Sequence, residues 1–600
     1  MQEQTEKQNI KISVRNLVEF ILRSGDIDNR KSRVMQAEAM QEGSRIHRKI
    51  QRRMGASYHA EVPLKIEIPR ENYQFVIEGR ADGIIKEERI TIDEIKGIYM
   101  DLSYLEEPVG VHLAQAKCYA YMYAQQENFA PDVKMGVQMT YCNLDTEEIR
   151  RFVEQYTVGE LENWFLGIVA EYEKWADFQY QWRCKRQASI QKLEFPFDYR
   201  EGQKELAADV YRTIYRRKNL FIQAPTGTGK TMSTIYPSVR AVGEGLAEKI
   251  FYLTAKSITA TVALDAFRIL GGKGYQAKTV LITAKEKMCV CEEMDCNPQN
   301  CPYAEGHFDR VNDAVFELLQ KGEIFTREIF LEQAHRHRVC PFELCLDTAS
   351  WADNIICDYN YVFDPNVYLK RFFGENVSGN YLFLIDEAHN LVDRGREMYS
   401  ASISLDDVIE TRKFVKPYSQ KLWKKLGKVK KQMEELKQNC GEWKVQENAG
   451  VLPISLLSVQ GEMDQLLEEP PAQEVVDGIL DFYFAVRNFL NISELVDDNY
   501  VVYAAFDDNG RFYLKLFCVD PAENLQKYLD KGNSTVFFSA TLLPLQYYRK
   551  MLSTRSENFG MYVESPFEQK KRCLMICRDV SSKSVSYTHL RAHETDSYLV

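Results

Sequence analysis

A doubly wound parallel α/β sheet carrying two long insertions, preceded by a separate α/β domain, is the fold class this sequence predicts. Three observations predict it. Short apolar runs of strand length recur from residue 195 onward, with helix-capable stretches between them. A length of 600 residues allows about four domains at roughly 150 residues each, more than one sheet can use. The pattern also changes near residue 190, where a mixed helix-and-strand segment gives way to that series of buried strands.

Composition sets the outer bounds. With 45% hydrophobic and 27% charged residues the chain has an ordinary globular balance, which excludes fibrous and largely disordered classes. The net charge of −11 means that contact with nucleic acid must come from local basic surfaces. The longest apolar runs, such as Tyr381-Leu-Phe-Leu-Ile385, are the length of a buried strand, so no membrane partner is expected. Met1 to Asn9 carries no apolar signal core, and a cytoplasmic location is expected. Thiols stay reduced there, so the seven cysteines from Cys289 to Cys357 point to a metal or to catalysis ahead of disulfides.

Taken in order, residues 1–190 predict a helix over Val14 to Leu22, strands around Val62 to Ile68 and Phe75 to Glu78, and helices over Gln115 to Tyr123 and Glu160 to Ala176. The polar stretch Trp182 to Gln187 reads as a linker. Residues 191–284 open the sheet with Leu220 to Gln223 and Lys249 to Leu253. A cysteine-rich insertion follows over 285–345, then the sheet resumes over 346–400 with Tyr381 to Ile385. A helical insertion spans 401–500, and its run Lys421 to Lys431 reads as a solvated helix face. Residues 501–583 close the sheet with Thr535 to Phe538.

Ala224-Pro-Thr226-Gly227-Thr228-Gly229-Lys230-Thr231 follows an apolar strand and precedes a helix-capable stretch, the context a phosphate-binding loop requires. Gly227 and Gly229 let backbone amides face phosphate oxygens, Lys230 carries charge to the β- and γ-phosphates, and the Thr231 hydroxyl is suited to Mg²⁺. Ala224 stands where the strict pattern has glycine. Such a loop needs an acidic partner, and Leu384-Ile-Asp386-Glu387-Ala-His389 supplies it at the end of a strand. Asp386 is expected to hold Mg²⁺ through water, Glu387 to polarise the attacking water, and His389 to link nucleotide state to the sheet. ATP is the expected nucleotide.

These motifs, with Phe195-Pro-Phe197, Arg200, Gln203, Thr254, Asp358-Tyr-Asn-Tyr361 and Ser539-Ala-Thr541, resemble the superfamily-two helicases, and within them the XPD/DinG group of iron-sulfur DNA helicases. The likeness covers roughly 195 to 580 and implies a RecA-like lobe acting on single-stranded or forked DNA. It also implies that Arg200 and Gln203 read the adenine and that Ser539 and Thr541 couple hydrolysis to strand movement. Cys296-x₄-Cys301-Pro-Tyr, the later Cys340-Pro-Phe, and Cys289 after Lys285-Glu-Lys-Met resemble the cluster domain of that group. The implied ligands of a [4Fe-4S] cluster are therefore Cys289, Cys296, Cys301 and Cys340, with Cys291, Cys345 and Cys357 left out. Zinc accepts the same four thiolates, and spacing alone does not separate the two.

In the first domain, Glu78-Gly-Arg-Ala-Asp82-Gly and Ile92-Asp-Glu94-Ile-Lys96-Gly form a strand-turn-strand pattern that brings Asp82, Glu94 and Lys96 together. Two carboxylates suit Mg²⁺ or Mn²⁺, and Lys96 suits either orienting the attacking water or stabilising charge on phosphate. His47 is placed to complete the metal shell, and Gln115 and Tyr119 share one helical face. This set resembles the RecB-like branch of the PD-(D/E)xK nucleases, which implies a restriction-endonuclease-like fold over 1–190. The chain departs from the iron-sulfur members of that branch, since only Cys118, Cys142 and Cys184 are at hand there.

The expectation is thus an ATP-dependent DNA helicase with a fused metal-dependent nuclease, in DNA repair or processing. A motor of this kind needs a second lobe of ~150 residues, and only Leu542 to Val600 follows Ser539-Ala-Thr541, without a Gln-x-x-Gly-Arg-x-x-Arg pattern. The chain therefore reads as truncated, which makes an ATP- and DNA-holding fragment or an ATP-independent nuclease the alternatives. Residues 584–600 break the apolar pattern and read as a non-native tail.

Overall fold

The computed structural model describes residues 8–28 and 36–565, apart from 145, 376, 469 and 470. The expected tail over 584–600, and the expected start of a second lobe before 583, lie outside the described residues.

Alternating apolar residues build a six-stranded sheet in the first domain: β1 (Gln8–Ser13), β2 (Tyr58–Pro69), β3 (Tyr73–Lys86), β4 (Ile90–Ile98), β5 (Lys134–Asn143) and β6 (Ile149–Thr157). Its order is β1-β3-β4-β5-β6, with β2 along the other edge of β3. β3 and β4 are an antiparallel hairpin, and β4 continues parallel to β5. Gly83 on β3 is there for space, because a Cβ at that position would lie 1.9 Å from the Tyr58 hydroxyl. The helix Gly110–Gln126 covers the sheet and buries Gln115 and Tyr119 against it.

The expected linker is not one. Trp182 to Gln187 lies inside an unbroken helix of 34 residues, Val158–Gln191, that begins with a Thr157–Glu160 capping box. Its polar side chains have partners in the second half of the molecule. Trp182 Nε1 donates to Asp353 Oδ2 at 2.8 Å, and Arg186 pairs with the other oxygen of Asp353, both side chains being buried. Polarity here marks an internal contact, a distinction that composition does not make.

The second half is built on β7 (Asn219–Gln223), β8 (Lys249–Thr254), β9 (Thr279–Leu281), β10 (Ile324–Phe325), β11 (Asn354–Asp358) and β12 (Tyr381–Asp386). A separate sheet holds β13 (Ala401–Ser404), β14 (Trp443–Gln446), β15 (Tyr500–Phe506) and β16 (Phe512–Cys518), and the main sheet is completed by β17 (Ser534–Ser539) and β18 (Asn558–Tyr562). The main sheet is parallel throughout, in the order β10-β9-β11-β8-β12-β17-β7-β18. All four strands expected from apolar runs stand side by side at its centre, as fully covered parallel strands should.

Both insertions are less self-contained than the sequence pattern implies. The cysteine-rich one holds the helices His307–Lys321 and Arg327–His337, returns β10 to the edge of the main sheet, and leaves by the helix Pro341–Trp351. The helical one holds four helices between Leu405 and Ser493, yet β13 and β14 inside it pair with β16 and β15 beyond it. Four-residue strands such as Trp443–Gln446 are too short to leave a periodic signal. On the helix Gln420–Gln438, Leu422, Leu426, Val429 and Met433 are buried and Lys424, Lys428 and Lys431 are exposed as expected, whereas Lys425 turns to Glu462 of the next helix at 2.7 Å.

Asp353→Ala is expected to leave Arg186 buried without its partner and to cost about 3–5 kcal/mol. Chemical denaturation followed by far-UV dichroism checks this, and a change below about 1 kcal/mol would show that water reaches the pair and replaces the lost carboxylate.

Candidate functional sites

The first site lies at the C-terminal ends of β7, β12 and β17, where parallel sheets open a crevice between strand and helix. Gly229 has φ +74° and leads directly into the helix Lys230–Gly243. A Cβ there would meet Gln203 Nε2 at 2.3 Å, so glycine serves both the left-handed turn and the approach of Gln203. Arg200 donates its guanidinium to the Gly227 carbonyl, while its backbone amide donates to Gln203 Oε1 at 3.0 Å. Thr226 and Gly227 stand exposed at the loop tip, and the Thr228 hydroxyl ties back to the Pro225 carbonyl at 2.8 Å. Lys230 Nζ donates to the Ala224 carbonyl at 2.9 Å, and burial lowers its pKa against the pull of Glu387 and Asp386.

The acidic motif ends β12. Asp386 Oδ1 accepts from the Glu387 amide at 2.8 Å and Oδ2 accepts from the Tyr252 hydroxyl at 2.6 Å, with burial raising the carboxyl pKa. Glu387 sits at φ +47°, a left-handed conformation that L residues seldom adopt. Ser539 Oγ donates to Glu387 Oε2 at 3.0 Å and lies 2.7 Å from His389 Nδ1, and the Thr541 amide donates to the same Oγ at 3.2 Å. Lys230, Asp386, Glu387, His389, Ser539 and Thr541 therefore occupy one neighbourhood, although His389 and Ser539 are 150 residues apart in the chain.

The second site is the β3–β4 hairpin under the helix Gly110–Gln126. Lys96 Nζ bridges Glu94 Oε1 at 2.9 Å and Gln115 Oε1 at 3.1 Å, and Gln115 Nε2 reaches the Tyr119 hydroxyl at 3.4 Å. Asp82 Oδ2 accepts from the Ile95 amide at 2.8 Å, and His47 Nδ1 stands 3.5 Å from Asp82 Oδ1. All six residues singled out in this domain converge. Glu94 is 1% exposed and its Oε2 has no hydrogen-bond partner. Burial, reinforced by the Asp82 charge and opposed by Lys96, pushes its pKa up to about 8. A buried carboxylate oxygen with no donor suits a cation, so Asp82 and Glu94 fit a divalent metal as a donor set.

Around the cysteine-rich segment, Cys289, Cys291, Cys296, Cys301 and Cys340 are half-buried, whereas Cys345 and Cys357 are buried in the core. Cys291, outside the expected ligand set, lies 3.8 Å from Cys301, sulfur to sulfur. Burial, with Cys301 beside it, raises the Cys291 thiol to about 12. Among the described residues no three His, Cys, Asp or Glu side chains stand close enough together to hold a metal ion.

Sequence reasoning missed the residues that hold these groups in place. Tyr252 and Tyr359 are buried tyrosines that grip Asp386, one by its side chain and one by the Asp386 and Glu387 carbonyls. Asp93 is buried behind the hairpin and accepts from Thr140 at 2.5 Å, Gln138 at 2.9 Å and Tyr58 at 3.1 Å. The available signal was Gln138-x-Thr140, two polar residues two apart on an apolar strand, which point to one face.

Residues 275–408 match the DEAD_2 family. The chain is similar to the regulator of telomere elongation helicase 1 homolog of Caenorhabditis briggsae, 24% identical over 263 residues, covering 36% of this chain and 26% of that protein. It is 21% identical over 268 residues to regulator of telomere elongation helicase 1 of Homo sapiens, covering 36% and 22%. The likeness thus spans about a quarter of the length of these relatives. A solved structure described as truncated XPD aligns with a TM-score of 0.41 at 17% identity, over 60% of this chain and all of that one. Over these spans the chain is similar to the DEAD_2 family and to curated helicases.

The raised Glu94 pKa predicts a pH effect on stability. A carboxyl whose folded pKa lies above its unfolded value of 4.5 favours the fold while protonated and loses that contribution as pH rises toward about 8. Without divalent cations, Glu94→Gln should match wild type only near pH 4, below the unfolded value, and melt progressively higher than wild type as pH rises from 4.5 through about 8 to pH 9. Equal melting temperatures at pH 9 would mean that Glu94 ionises without cost.

Proposed function

We propose that this chain carries the ATP-hydrolysing lobe of a DNA helicase joined to a metal-dependent nuclease domain, acting in DNA repair or processing. The observation that carries the motor reading is the bonded set Glu387–Ser539–His389 beside Lys230 and Asp386. In this reading Arg200 and Gln203 hold the adenine, and the loop from Thr226 to Gly229 cradles the phosphates. Lys230 leaves its carbonyl for the γ-phosphate. Glu387 takes a proton from water as the water oxygen bonds to the γ-phosphorus and the bridging oxygen leaves with ADP. Mg²⁺ would be held by Thr231 and Asp386 and would supply charge neutralisation to the phosphates. Ser539 and Thr541 sense that change through Glu387 and His389, and so link nucleotide state to DNA bound at the adjoining motifs.

The nuclease reading rests on the six converging residues and the unpaired buried oxygen of Glu94. Asp82 and Glu94 would hold Mg²⁺ or Mn²⁺, and His47, beside Asp82, would complete the metal's shell. Lys96, positioned by Gln115, orients the water or meets charge on the phosphate. The metal supplies Lewis-acid polarisation of the phosphate. Single-stranded or forked DNA is the substrate class, bound by cationic and aromatic surfaces. Cys289, Cys296, Cys301 and Cys340 are proposed as residues that would hold a [4Fe-4S] cluster, on their spacing in the sequence alone, since the described residues do not draw three of them together as a metal-binding group.

Two variants separate the activities. Lys230→Ala should abolish DNA-stimulated ATP hydrolysis and spare cleavage, and Glu94→Ala should do the reverse. Phosphate release and gel assays of a labelled single strand read both, and loss of both activities in either variant would contradict two independent centres. ATP bound without turnover in wild type would favour the fragment reading.

A further inference from the structure

We propose that Tyr252 is a positioning residue of the nucleotide site, its hydroxyl holding the Asp386 carboxylate in the orientation that, with Thr231, receives the divalent cation of the bound nucleotide. This rests on the motor reading above. Tyr252 is fully buried on β8, directly beside Leu384 of β12 in the parallel register, two residues before Asp386. Its neighbours Ile250, Phe251 and Leu253 are apolar, and phenylalanine would satisfy the same packing. The hydroxyl is therefore the feature that needs a reason.

Its bonding supplies one. The phenol donates to Asp386 Oδ2 at 2.6 Å, while Oδ1 is held by the Glu387 amide at 2.8 Å, so the carboxylate plane has no rotational freedom left. Thr231, the other group expected at the cation, is close enough to the same phenol to influence it. The side chain thus acts on the cation site through Asp386. Tyr359 acts differently, since its hydroxyl bonds only main-chain carbonyls of Asp386 and Glu387. Partners that orient a metal ligand from behind typically change metal affinity by about 10- to 100-fold when removed.

The test is the Mg²⁺ dependence of binding of a fluorescent ATP analogue by the full chain, with turnover measured alongside. Tyr252→Phe is expected to raise the Mg²⁺ concentration at half-saturation by about tenfold or more, leaving affinity for the Mg²⁺-free analogue within twofold of wild type. Tyr275→Phe, which removes another buried hydroxyl from the same half of the molecule, should leave the Mg²⁺ requirement unchanged. Incorporation of 3-fluorotyrosine at position 252 keeps both size and hydroxyl, and should retain the wild-type requirement even if the phenylalanine variant folds poorly. An unaltered Mg²⁺ requirement in Tyr252→Phe, or a shift as large with fluorotyrosine, overturns the role of Tyr252. Failure of wild type to bind the analogue in a Mg²⁺-dependent way overturns the motor reading itself.

Discussion

A carboxylate buried between a long helix and the centre of a sheet is stable only when its lone pairs are used, and Asp353 uses them on both halves of this molecule. Its oxygens receive Trp182 and Arg186 from the helix Val158–Gln191, and the Lys278 amide at 2.7 Å from the segment entering β9. Lys278 itself lies over the Trp182 ring at 3.8 Å. The helix that closes the first domain is thereby pinned to the strand edges of the second. Trp175 on the same helix packs within 5 Å of Phe20, Phe316 and Trp351, ring to ring, which extends the junction onto the cysteine-rich insertion. The two candidate centres are parts of one framework because of these contacts.

Within the second half, a parallel sheet sets where chemistry can occur. Strands buried on both faces offer functional groups only at their ends, and the C-terminal ends of β7, β12 and β17 are adjacent. The bond from the Ala224 amide to the Ser539 carbonyl, at 3.0 Å, ties the phosphate loop to the Ser539 motif. The left-handed Glu387 is held by Tyr359 from behind and by Ser539 from the front. Strain in one residue is tolerated because its surroundings leave it no alternative.

The first domain solves a different problem. Its carboxylates lie on a hairpin under a helix, where exclusion of water pushes the Glu94 pKa up. Asp93, next in sequence, faces the other way and is satisfied by three donors. Adjacent acids on one strand therefore have opposite surroundings, one satisfied by three donors and one with a buried oxygen left unpaired, because strand geometry alternates their directions.

Sequence alone determined the central strands, and pointed to the loop Ala224 to Thr231 with the acidic motif that lies near it and to the six residues that come together at the β3–β4 hairpin, because each depends on local periodicity or on close spacing within a motif. It misread Trp182 to Gln187 as a linker and the second insertion as helical throughout, because buried polar contacts and four-residue strands leave no periodic trace. Only the tertiary structure decided that Cys291 lies against Cys301, that Tyr252 holds Asp386, and that Asp353 joins the two halves. These are contacts between residues far apart in the chain or in separate elements, and their strength comes from burial, which a linear pattern does not encode.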